Sequence, residues 1–148
     1  GITISTDIIV GFPGETEADF ADTLSLVDEA GFDEAYTFLY SARDGTPAVR
    51  IPGHVPEDIG ADRLQRLIAH VRAGTRRRNA GRVGTVHEVL VERPARRGGQ
   101  MLGRTRSNLL VVLDLSPDTI GEYRTVRLTG TTGSTFTGAV VAPQLAVL

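Results

Sequence analysis

Residues 2–16, ITISTDIIV followed by GFPGET, decide the fold. The run 2–10 is β-branched and mostly apolar, the composition of a buried strand in a parallel sheet. Side chains alternate along a strand. Ile2, Ile4, Thr6, Ile8 and Val10 therefore share one face, and Thr3, Ser5, Asp7 and Ile9 share the other. The more polar second face suits a barrel strand with helices outside and a polar cavity inside.

Gly11-Phe12-Pro13-Gly14 ends the strand. Thr16 with Asp19 three residues on is a capping-box-like helix start, with Asp in place of the usual Glu. Glu17 and Asp19 fall in the first turn, where the helix dipole favours acids. The spacing of Phe20, Leu24 and Val27 predicts a helix over about 17–30, stopped by Gly31. Residues 34–40, EAYTFLY, read as a second strand, giving the β-loop-α-β unit of parallel sheets and barrels. A long connection runs from Ser41 to Pro56. A second helix is expected from Pro56 to about Ala80, with Leu64, Leu67, Ile68 and Val71 as its stripe and Arg76-Arg77-Arg78 at its end.

From residue 82 the pattern turns all-β. VHEVLVE (86–92), MLGRTR (101–106), LLVVLD (109–114), EYRTVRLT (122–129) and TFTGAVV (135–141) alternate with turn clusters. Five short antiparallel strands suggest a small closed barrel of the OB type, since closure removes exposed edges. The fold class is thus α/β followed by all-β, with residues 1–80 as one domain and 81–148 as the other.

Composition narrows the chemistry. The 148 residues are 41% hydrophobic and 23% charged, as in an ordinary folded protein. No apolar run approaches the ~20 residues that cross a bilayer, and no secretory signal pattern opens the sequence. There is no Cys, so the chain itself supplies no disulfide, thiolate nucleophile or thiolate metal ligand. There is no Lys either; all 16 basic residues are Arg, which removes a Schiff-base lysine and a Walker lysine. His54, His70 and His87 show no metal-ligand spacing. The sequence starts with Gly1 and enters a strand pattern almost at once, as expected of a piece of a longer protein.

Charge is unevenly placed. Residues 1–74 hold 13 acids and 5 Arg, and residues 75–148 hold 5 acids and 11 Arg. Such a step marks parts with different partners. Either two solvated surfaces of opposite sign stand side by side, or the basic half meets a polyanion, most often nucleic acid.

Two loops are candidate ligand sites. Gly11–Thr16 lies between a strand end and a helix start, where ligands of α/β folds gather and free helix N–H groups attract anions; a plain connecting turn has the same residues. Glu15 suits a ribose hydroxyl or an amine, or simply first-turn acidity. Tyr40–Pro47 follows the second strand on the same rim. In the basic half, Gly103-Arg104-Thr105-Arg106-Ser107-Asn108 sets two arginines on one strand face, with Arg96, Arg97, Arg124 and Arg127 adding charge. The planar guanidinium fork suits phosphates. Tyr123 and Phe136 are the only aromatics from residue 82 on, which argues against stacking on single strands and for a grip on a backbone or folded RNA.

TDIIVGFPGET (6–16), YTFLYS (36–41) and GTPA (45–48), followed by EVLVE (88–92) and GRTRSN (103–108), resemble the end of the radical S-adenosylmethionine methylthiotransferases. The first group is similar to their late barrel and the second to their closing TRAM domain. Asp7 and TFLYSAR (37–43) resemble the MiaB-type, tRNA-modifying branch; the sister branch modifies an aspartate of a ribosomal protein. The resemblance implies the last βα units of a partial TIM-like radical SAM barrel, then a five-stranded OB-like TRAM barrel. It implies S-adenosylmethionine and two 4Fe–4S clusters as cofactors, with the cluster cysteines outside this chain. A (β/α)₈ barrel needs about 250 residues, so these units cannot close one.

The implied function is methylthiolation of C2 of N6-dimethylallyladenosine beside the anticodon of tRNA. Asp7, Gly11, Gly14, Glu15, Tyr40 and Ser41 would help hold S-adenosylmethionine. Arg104, Arg106 and Asn108 would contact tRNA, supported by Arg76, Arg77 and Arg78. No catalytic residue and no metal ligand is expected in this chain, which alone should be an inactive, cytoplasmic monomer without membrane contact. The rivals are the ribosomal-protein enzyme and a non-catalytic RNA-binding module.

Overall fold

The computed structural model describes residues 2–96 and 98–141; Arg97, counted above as part of the basic surface, lies outside them. The chain divides into two compact units, residues 4–75 and a unit built on residues from Arg76 onward.

In the first unit, β1 (Ser5–Val10) and β2 (Glu34–Leu39) pair in parallel, with Asp7 opposite Tyr36 and Ile9 opposite Phe38. The strand starts at Ser5 rather than at the expected Ile2. The neighbouring strand begins only at Glu34, so the Ile4 backbone bonds to Asp33 instead, its N–H donating to Asp33 Oδ2 at 3.0 Å. Helix α1 (Glu17–Ala30) follows β1 and has the expected ends. Asp19 N–H donates to Thr16 Oγ1 at 3.2 Å, and Thr16 N–H donates back to Asp19 Oδ2 at 2.8 Å. Gly31 closes the helix in the left-handed region, at φ 62°.

Helix α2 (Glu57–Arg82) is longer than the expected 56–80 and contributes residues 57–75 to this unit. Val10, Phe20, Val27 and Leu67 form the core, with Ile8, Leu24, Leu39, Leu64 and Val71 around them. The helices thus cover the Thr6–Ile8–Val10 face of β1. The opposite sheet face carries Ser5, Asp7 and Ile9 beside Glu34, Tyr36 and Phe38. It is open, with Ile9, Tyr36 and Phe38 each 50–56% exposed.

The second unit is a closed barrel of β3 (Val86–Pro94), β4 (Met101–Thr105), β5 (Leu110–Leu113), β6 (Tyr123–Thr131) and β7 (Thr135–Val140), in the order β3-β4-β5-β7-β6. Inward-facing Val89, Val91, Met101, Val111, Leu113, Val126, Leu128 and Phe136 fill it. One expectation is corrected: β5 and β7 run parallel, Leu110 opposite Thr135. The chain crosses to β6 before returning as β7, so β7 meets β5 in the same direction. Close approach at one seam requires glycine. A Cβ on Gly103 would lie 2.5 Å from Val89 Cγ1 and 2.7 Å from the Leu90 carbonyl oxygen.

Candidate nucleic-acid interface and ligand loops

Backbone geometry shapes the 11–16 loop. Gly11 and Gly14 adopt φ of 75° and 87°, which side-chain-bearing residues disfavour. The N–H groups of Gly11, Gly14, Glu15 and Thr16 are already engaged. Gly11 N–H donates to Glu15 Oε2 at 2.6 Å, and Gly14 N–H to the Gly53 carbonyl at 2.8 Å. Glu15 is in turn clamped by buried Arg63, whose Nη1 lies 2.9 Å from Oε2 and also donates to the Glu15 carbonyl at 3.0 Å. Glu17 accepts from Arg66 at 2.6 Å and from Arg63 at 3.3 Å, and the Arg66 hydrogen bond holds its carboxyl below the usual range. Both guanidinium groups also lie over the Phe20 ring, Arg66 at 4.7 Å and Arg63 at 5.9 Å.

The structure therefore brings Gly11, Gly14 and Glu15 together in one braced loop, with Tyr40 beside it. Tyr40 N–H donates to the Val10 carbonyl at 2.8 Å, and its ring meets Phe12 edge-on at 5.2 Å. The Tyr40 hydroxyl is shielded from solvent and has no hydrogen-bond partner among the described residues. Exposed Ser41 follows it. Asp7 stands apart on the open sheet face, opposite Tyr36. The Tyr36 hydroxyl is pushed above its usual range, first by the Glu34 charge and last by that of Asp7. Arg63 and Arg66 escaped the sequence reading. The signal was available: position 63 falls on the Leu67–Val71 stripe, so a charge there had to be paired.

On the barrel, Arg104, Arg106 and Asn108 gather at the β4–β5 turn. Asn108 takes φ 63°. Its N–H donates to the Thr105 carbonyl at 3.0 Å, and its Oδ1 accepts from Arg104 at 2.6 Å. Both arginines face carboxylates of β3. Arg104 Nε lies 3.1 Å from Glu92, and Arg106 lies 2.6 Å from Glu88. The Arg106 pair is exposed, at 82% and 43%, so it is screened and easily exchanged.

Arg76–Arg78 occupy a different place. The Arg76 stem lies on Gly133 of the β6–β7 turn, and buried Asn79 donates to the Gly133 carbonyl at 2.6 Å. Of the other basic residues, Arg124 pairs with Glu122, and Arg127 donates to the Gly84 carbonyl at 2.8 Å. Among the described residues no cluster of His, Asp and Glu could hold a metal, and no helix is long and apolar enough to cross a membrane.

With this geometry in view, residues 81–141 match the TRAM domain family. The barrel is a TRAM domain. The chain is 44% identical over 137 residues to the tRNA-2-methylthio-N(6)-dimethylallyladenosine synthase of Opitutus terrae, spanning 93% of this chain and 28% of that protein. It is 44% identical over 145 residues to the protein of the same name from Deinococcus radiodurans, spanning 97% and 28%. For that of Clostridium novyi the identity is 43% over 141 residues, spanning 95% and 31%. The chain is thus homologous, over nearly all its own length, to a segment of the MiaB-type tRNA methylthiotransferases, and it spans about 30% of the curated relatives it matches.

Proposed function

We propose that the chain is the part of a tRNA methylthiotransferase that ends its cofactor barrel and carries its grip on tRNA, with residues 1–80 and 81–148 as the two domains. The reaction of the whole protein is methylthiolation of C2 of N6-dimethylallyladenosine beside the anticodon. One observation carries the reading: a β-loop-α-β rim and a TRAM barrel in one chain, together 44% identical to such synthases over 93–97% of its length.

Bound S-adenosylmethionine and two 4Fe–4S clusters would supply the radical and the sulfur. No residue here fits the clusters, because the chain has no cysteine. Residues on the rim do fit S-adenosylmethionine. Tyr40 offers a shielded hydroxyl with no partner among the described residues, and Ser41 is open to a ligand; Asp7, off the rim on the open sheet face, is exposed as well. Gly11, Gly14 and Glu15 set the loop's shape, since their polar groups are largely engaged within the protein.

Arg104, Arg106 and Asn108 contact the tRNA backbone, with Arg76–Arg78 in support. Phosphate contacts position the RNA without reading its sequence. The chain acts as a cytoplasmic monomer and is inactive alone. Fluorescence anisotropy against a tRNA transcript over a salt series tests the grip. Replacing Arg104 and Arg106 by Ala should weaken binding and reduce the slope of log K on log salt by about 2. An unchanged affinity and slope would remove these residues from the interface. Mass spectrometry of tRNA from a strain lacking the whole gene tests the reaction; unchanged 2-methylthio adenosine would refute it.

A further inference from the structure

Outward-facing side chains of a small barrel are normally polar, because only the alternate residues reach the core. One departure from this lies on β4 and β5; exposed Val86 of β3 and Tyr123 of β6 are others. Met101, Val111 and Leu113 point inward and are buried; Leu102, Leu110 and Val112 alternate with them on the other face, Leu102 9% exposed and the other two half-buried. The three are neighbours across β4 and β5, with Leu102 opposite Val112. They floor an open cleft of about 540 Å³. Ala95, Arg96 and Gln100 form its wall, and the Ala95 N–H donates to the Gln100 carbonyl at 2.8 Å.

Arg93 enters this cleft because a bulge between Val91 and Arg93 shifts the register, setting it opposite Leu102. Arg96 and Gln100 line it from the loop, and Thr135 from β7. The side chains of Arg93 and Arg96 are exposed and make no ion pair or hydrogen bond among the described residues, unlike Arg104 and Arg106 with their glutamates. Two unengaged cations beside a flat aliphatic floor, with one amide and one hydroxyl at its edge, match the parts of a nucleotide.

Resting on the RNA reading above, we propose that this cleft takes one unstacked nucleotide of a single-stranded RNA segment. Its phosphate lies against Arg93 and Arg96. Its base lies flat on Leu102, Leu110 and Val112, and the base edge meets Gln100 or Thr135. Aliphatic side chains here do the covering that aromatic rings do in stacking platforms, which is how a barrel poor in aromatics accommodates a base. The volume lies within the roughly 300–1,000 Å³ of small-ligand pockets.

The test uses the 148-residue chain with three probes: an unmodified tRNA transcript, a single-stranded RNA hexanucleotide, and a duplex of the same sequence. Methyl NMR on the unaltered protein should show the hexanucleotide shifting Leu102, Leu110 and Val112. Arg93→Ala with Arg96→Ala, both exposed and tolerable to the fold, should weaken hexanucleotide binding about tenfold and duplex binding about twofold or less. If tRNA binds but the hexanucleotide moves none of these methyls and the variants change nothing, the cleft assignment is overturned while the RNA reading stands. If no RNA of any kind binds, the RNA reading itself fails and the cleft with it. Preference for an acidic peptide over the hexanucleotide would also overturn the proposal.

Discussion

Gly103 shows how little slack the barrel has. Any side chain there meets Val89 and the Leu90 carbonyl inside 3 Å, and the carbonyl belongs to a paired strand that cannot step aside. Gly103→Ala should cost about 3 kcal/mol, measured by urea unfolding. Gly81→Ala is the control: it lies in α2 with nothing within 4 Å of the added methyl, and should stabilise by about 0.5 kcal/mol. At the start of α1, Thr16→Ala should cost about 1 kcal/mol through the lost cap. Asp19 gives the same cap a pH signature. The Thr16 hydroxyl, then the Thr16 backbone N–H, hold its carboxyl below the usual range. A depressed folded pKa contributes stability above the ordinary carboxylate range near pH 4. That contribution is lost as pH falls through the lower folded value. Asp19→Asn should therefore lower stability at neutral pH and flatten the acid limb of the stability curve. Thr16, Asp19 and Gly31 were readable from sequence because caps are local. Arg63 was not read, because its partners Glu15 and Glu17 lie 48 and 46 residues away.

Among the elements, α2 both covers the sheet and braces the ligand loop. Arg63 carries the brace: its side chain is 6% exposed and its partner Glu15 is 10% exposed. Removing one member of a buried pair leaves the other uncompensated. Arg63→Ala should cost roughly 3 kcal/mol and loosen the 11–16 loop, seen as faster amide exchange at Gly11. Exchange at Gly11 as slow as in the unaltered chain would mean that Glu15 holds the loop without its arginine. Both strands and both helices of this unit were legible, since period-2 and period-3.6 patterns are written in contiguous residues. The strands of the barrel were legible for the same reason. The parallel β5–β7 pairing was not, because strand direction across a closure depends on path and not on any local pattern.

For the whole molecule, the charge step from an acidic to a basic half was the clearest functional signal in the composition. The sequence pointed to Arg104, Arg106 and Asn108, and the structure does bring them together. It also pairs both arginines with glutamates, which spacing alone could not reveal because the partners come from a different strand. At this scale Glu88→Gln should strengthen tRNA binding several-fold at low salt and less at high salt, by freeing the Arg106 guanidinium. A filter-binding series over salt measures it, and weaker binding would assign Glu88 a direct role in holding the RNA.

Those intramolecular glutamates have a consequence for discrimination. A lone phosphate, citrate or free nucleotide must evict a tethered carboxylate that is always nearby, and it gains a single contact in return. A long polyelectrolyte displaces several such occupants in one encounter and releases its own condensed cations as it does so. On the proposed RNA face, Arg104 and Arg106 are thereby biased against single small anions and toward a polyanion.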